Sequence, residues 1–224
     1  ALSIYLLFAI GFKGGVSVAG HGLDIKLGGA LTAGIVLSFL LPFLAYALLK
    51  LLTRMDRLNA SAIAGHYGSI SIVTFLAGSS LLGLRNQEAE GFMVAVAAVM
   101  EAPAIFATLW LTSRDGKSRV DSRLLREILL NGSIVLLVGS FLIGWVTGAQ
   151  GMEKIAPFIS EPFQGVLCLF LLDMGLIAGR GLRRSHRVIG PGVLAFGILM
   201  PVLSSAIGLG AAMLIGLSLG GTVL

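Results

Sequence analysis

Glu101 stands near the centre of an apolar segment running from about Glu90 to Thr112, two residues before Pro103. A carboxylate and a helix-breaking proline are both costly in the middle of a hydrophobic span. Both are tolerated where they line a cavity or pack inside protein. In the segment before it, small residues fall at Ser61, Gly65, Gly68, Ser71, Thr74 and Gly78, spaced 4, 3, 3, 3 and 4 apart. That spacing keeps glycines, hydroxyls and exposed backbone on one helical face. The chemistry on offer is ion binding. Gly68, Ser69, Ser71 and Thr74 present N–H and hydroxyl groups to a small anion, and an interrupted helix adds its positive N-terminus. Glu101, the Thr74 hydroxyl and a carbonyl released one turn before Pro103 offer hard oxygen ligands to a small hard cation. A cation held beside the anion offsets charge in a low-dielectric site, which is a physical basis for cotransport.

Plainer readings exist for each feature. The small-residue stripe also suits close helix packing of the Gly-xxx-Gly type, and Ser and Thr can bond their own i−4 carbonyls. Asp173 is a further carboxylate for an ion, or a partner for Lys13 or for a basic residue at a helix end. Lys13 reads as a side chain that snorkels or caps. His66 reads as a packed or interfacial histidine, because no Cys or second His lies at ligand spacing. No cofactor is expected, and no metal beyond sodium at Glu101.

These residues need elements to hold them. The chain has 224 residues, of which 56% are hydrophobic and 12% charged, and a mean hydropathy of +0.97. Soluble domains carry about a quarter charged residues, so an all-α integral membrane protein is expected. Seven apolar segments appear, near 1–18, 28–52, 59–84, 90–112, 124–146, 162–177 and 189–214. Most approach the ~20 residues that cross a bilayer. The first and sixth are short or glycine-interrupted, the first at Gly11 and Lys13-Gly14-Gly15. The single cysteine, Cys168, excludes a disulfide framework. The net charge of +5 is explained by membrane topology rather than by nucleic acid. If every segment crosses, three connections share one side and hold twelve basic residues: Lys50, Arg54 and Arg57; Arg114, Lys117, Arg119, Arg123 and Arg126; Arg180, Arg183, Arg184 and Arg187. The opposite side has four, Lys13, Lys26, Arg85 and Lys154. The positive-inside rule then makes the basic connections cytoplasmic. Residues 1–20 lack a basic leader, so no cleavable signal peptide is read there.

A weak internal repeat is visible. Setting Gly11 on Gly175 also sets Gly15 on Gly179, and Leu41-Pro42 then answers Met200-Pro201. The expected architecture is a five-plus-five inverted-repeat transporter, truncated to its middle, with one helix missing before residue 1 and two after Leu224. Residues 1–113 form the first repeat, 114–123 a cytoplasmic linker and 124–224 the second repeat. A chain of this extent alone is expected not to transport.

The strings YLLFAIGFKGG at 5–15, GHYGSISIVT at 65–74, MEAPAI at 100–105 and LLDMGLIAGRGL at 171–182, in this order, resemble the sodium-dependent bicarbonate permease family known from cyanobacteria. GLSLGG at 216–221 resembles the start of that family's penultimate helix. The resemblance implies a multi-pass homotrimer of the cell inner membrane with core and gate subdomains. It implies a bicarbonate and sodium site where crossing helices meet, and in some members a PII-like regulator on the cytoplasmic side. Ser69, Ser71 and Thr74 match the substrate-contacting stretch. Ile72 and Val73 are bulkier than that pattern, and Glu101 stands where aspartate is usual, so the resemblance speaks to fold before substrate. The rival reading is a sodium- or proton-coupled organic-anion carrier of the same architecture. A retinal protein is disfavoured because the seventh segment has no lysine. A hydrolase is disfavoured because Ser71 and His66, five apart on one helix, point away from each other.

Overall fold

A computed structural model describes residues 2–21, 25–87, 89–113, 132–185 and 189–224. The described residues are helical, without strands. In chain order the helices are α1 (Leu2–His21), α2 (Ile25–Leu52), α3 (Arg57–His66), α4 (Ile72–Leu84), α5 (Met93–Val99), α6 (Glu101–Ser113), α7 (Gly132–Ile159), α8 (Phe163–Ser185), α9 (Pro191–Ile215) and α10 (Leu219–Val223). Among the described residues, six stretches are long and apolar enough to cross a membrane: 2–20, 25–52, 93–112 (α5 with α6), 135–159, 163–184 and 191–215. Segments that are apolar on every side belong in lipid, so this is a multi-pass membrane protein. The linker expected at 114–123, the start of the expected second repeat and Arg187 lie outside the described residues.

Several boundaries differ from the sequence expectation. The first segment is not interrupted: α1 runs unbroken through Gly11, Gly14 and Gly15. Its glycines are contact points, because a Cβ at Gly11 or Gly15 would overlap Ser140 or the Phe141 carbonyl oxygen. The third segment is two half-helices, α3 and α4, neither long enough to span alone. The fifth, expected to end near Val146, continues to Ile159 after a sharp turn at Gly148 (φ 56°, ψ −149°), backbone that essentially only glycine adopts. Before the turn, Gly144 lies against Phe12; beyond it, Gly151 returns to Phe12 and Phe158 reaches the rings of Tyr5 and Phe8. The chain therefore doubles back along α1, and Lys154 sits on a helix rather than in a loop. The sixth is longer than expected, reaching Ser185 as α8, and its residues 171–184 are all exposed.

The packing that positions the site is built on α2. Leu41, Ala45 and Leu49 pack with Ala60 and Ala64 of α3, Leu111 of α6, and Phe196 and Met200 of α9. Asp56 caps α3 by accepting from the Asn59 N–H at 3.0 Å. Arg57 ties the start of α3 to the end of α6, its Nε and one terminal nitrogen donating to the Leu111 carbonyl at 3.1 and 2.9 Å.

Candidate functional site

The α3–α4 interruption starts where α3 tightens and stops. Tyr67 and Gly68 turn their N–H groups back to the Ala64 and Gly65 carbonyls at 3.0 and 3.2 Å. Gly68 is buried, and a Cβ there would overlap the Pro42 ring and the Ser38 carbonyl. Pro42 has no N–H to give that carbonyl, and only glycine lets the end of α3 come so near it. With its own N–H spent, what Gly68 contributes is close approach. Three residues on, Ser71 takes extended backbone (φ −80°, ψ 104°) and caps α4, its side chain accepting from the Thr74 N–H at 3.3 Å. The negative end of α3 and the positive end of α4 therefore meet across 67–71. The first amides of α4, those of Ile72 and Val73, have no acceptor within the helix by geometry.

The α5–α6 ladder is interrupted at Met100, and α6 begins with Glu101. Pro103 falls in the first turn of α6, where a missing N–H costs little, and it cannot donate to the Val99 carbonyl one turn back. The Met100 carbonyl accepts a hydrogen bond from the Ser38 hydroxyl. The half-buried Glu101 carboxyl lies close to the Ser69 side chain. That proximity brings the two interruptions together. Ser69, Ile70 and Met100 then line a cavity of about 560 Å³ walled by α2, α5 and α9.

The sequence-expected residues divide. Ser69 and Glu101 are in contact, and Gly68 lies behind them as a packing residue. Ser71 and Thr74 are on the first turn of α4 with exposed side chains, Ser71 serving as the cap. Asp173 is exposed on the uncovered part of α8. Neither does it meet Lys13, whose Nζ lies 4.2 Å from the centre of the Phe163 ring; Asp173 is ten residues further on, about 15 Å along the helix axis. His66 is exposed at the end of α3. Ser38, fully buried at the junction, was not singled out from sequence. Its signal was a serine four residues before a mid-helix proline. Among the described residues, no three His, Cys, Asp or Glu side chains gather as a metal cluster. A cation held at this junction would therefore take its oxygens from one carboxylate, hydroxyls and carbonyls.

The profile of the Na+-dependent bicarbonate transporter superfamily matches the chain over residues 1–224. The chain belongs to that superfamily. No curated protein matches it. As a member of the Na+-dependent bicarbonate transporter superfamily it is a transporter rather than an enzyme. The electrostatics outside the spans fit an ordered bundle. Asp56 is held below the usual carboxylate range by the Asn59 backbone and side-chain donors. At Glu90 burial pushes the carboxyl up, but the Ser218 N–H and hydroxyl and the Lys26 charge together bring it below the ordinary value.

Proposed function

We propose that the chain carries the first half of the solute site of a sodium-coupled transporter that imports bicarbonate by alternating access. The observation that carries this reading is the Ser69–Glu101 contact, which joins two interrupted helices beside a cavity. Irregular backbone at membrane depth is tolerated where it lines a cavity, and an intramembrane carboxylate reads as functional by default. In this reading Ser69 and the open amides at the start of α4 hold the anion, with Ser71 and Thr74 at the edge of the site. Glu101 and carbonyls near Met100 hold sodium. The matching Pro42 and Pro201 helices support a five-plus-five inverted repeat with repeats at 1–113 and 124–224 joined by 114–123. Asp173 belongs to the second repeat's contribution to ion binding. The basic connections face the cytoplasm, the protein sits in the inner membrane as a homotrimer, and a PII-like regulator docks on the cytoplasmic face.

One observation favours a second reading. The cavity is far larger than bicarbonate, and much of its wall is aliphatic, including Leu37, Leu41, Met93 and Val96. An organic monocarboxylate coupled to sodium or protons suits such a wall. Uptake of labelled bicarbonate and labelled organic acids by the intact protein, with and without sodium, separates the two. Bicarbonate uptake that requires sodium is expected. Glu101→Gln is expected to raise the sodium concentration for half-maximal uptake roughly 10- to 100-fold, the equivalent of one charge-assisted bond. Sodium-independent flux, or unchanged sodium dependence in the variant, removes the cation assignment.

A further inference from the structure

Lys13 is a charged group that the transport reading leaves unused. It lies on α1 within a span, half-buried, and among the described residues its ammonium meets the face of the Phe163 ring, 4.2 Å from the centroid, and no carboxylate. It opens onto a cavity of about 380 Å³ whose other polar walls are Ser79, Gln87 and Glu90. Glu90 is engaged elsewhere, accepting from the Ser218 N–H at 2.5 Å and from its hydroxyl at 3.0 Å. This cavity is built on the α4–α5 connection, so it lies at the end of the bundle away from the α2–α3 connection. Phe75 and Met93 line both it and the larger cavity over the 67–71 interruption. Two cavities therefore sit on either side of a partition that includes these two apolar side chains.

An ammonium in an apolar wall, compensated by a ring quadrupole, retains most of its attraction for an anion. Gln87 and Ser79 supply neutral donors beside it, and the space admits a small ion with part of its hydration shell. We propose that the Lys13 cavity is a second anion site. It receives a small monovalent oxyanion before the ion passes Phe75 and Met93 into the central cavity. This inference rests on the transport reading of the Ser69–Glu101 junction.

The first test needs no variant. The intact protein in nanodiscs, with both faces open, is treated with an amine-reactive reagent, and modified lysines are located by mass spectrometry. At a bicarbonate concentration four times its dissociation constant, modification of Lys13 is expected to slow about fivefold relative to sodium chloride. Lys26 and Lys154 are expected to react equally in both salts. Equal modification of Lys13 in the two salts overturns the proposal. The second test is uptake by Lys13→Gln, expected to raise the KM for bicarbonate about tenfold at low ionic strength through loss of a focusing charge. Maximal rate and sodium half-saturation are expected to stay unchanged, and Lys13→Arg to keep the original KM. An unaltered KM, or a loss confined to maximal rate, overturns the proposal. Absence of sodium-dependent uptake by the wild type would strike the transport reading itself, while the labelling result would still judge the Lys13 cavity.

Discussion

Along α1 and α7, Gly11, Gly15 and Gly144 press two helix backbones together: Gly15 against the Phe141 carbonyl, Gly144 against that of Phe12. At 67–71, Gly68 presses a backbone against the Ser38 carbonyl in the same manner, yet there the helix ends. In the first region α1 keeps its own ladder, and the buried Leu6, Ile10 and Leu137 pack together at the seam. In the second, two ladders stop within reach of each other, the Ser38 hydroxyl donates to the Met100 carbonyl, and Ser69 lies beside Glu101. Both regions are rich in glycine and hydroxyls. What separates them is punctuation: Ser71 caps a new helix and Pro103 opens another, while α1 has neither cap nor proline between Leu2 and His21.

The difference is sharpest in a pair of substitutions. Gly15→Leu forces a side chain into the Phe141 backbone and is expected to cost about 3 kcal/mol or more, the upper end for overpacking. Gly20→Leu, where nothing lies within 4 Å, is expected to be nearly neutral. Thermal unfolding of the intact protein in detergent reads both, and equal midpoints would dissolve the seam. A smaller effect is expected at the interruption. Ser71→Ala removes the α4 cap at about 1 kcal/mol, speeding hydrogen exchange at Thr74 and its neighbours, and Ser71→Asp restores protection. Exchange that ignores both changes would mean that α4 is not held by its cap.

The smallest expected effect is at Glu90. A carboxylate whose folded pKa is lowered adds stability that is fully present above its unfolded value, near 4.5, and is lost as pH falls through the folded value. Amides 218–222 should therefore lose exchange protection on acidification below the ordinary carboxylate range, and Glu90→Gln should flatten that profile. A pH profile unchanged by the substitution would assign the contact no part in docking α10.

Much of this was legible in the sequence, for physical reasons. Uniform hydrophobicity marked the long helices, and a mid-span carboxylate beside a proline marked Glu101. The Ser69–Glu101 pairing was not legible, because it depends on how two segments cross rather than on either one. Ser38 was hidden for the same reason, being one serine in an apolar helix until Gly68 and Met100 are packed against it. The turn at Gly148 escaped because glycine in an apolar run signals packing, kink or reversal alike, and only φ decides. The first segment's glycines suggested a break by the same ambiguity, and a neighbouring backbone filled their space instead.

In the proposed site the interruption at 67–71 is open to water and occupied by ions, while the α1–α7 seam is closed. In a Cys168→Ser background, Ile70→Cys and Ser140→Cys place a thiol at each, and modification by a water-soluble thiol reagent is followed in the intact protein. The Ile70→Cys thiol is expected to react, more slowly once sodium and bicarbonate are added together, and the Ser140→Cys thiol to stay inert. An unreactive Ile70→Cys, or a rate indifferent to both ions, would contradict the assignment of the site.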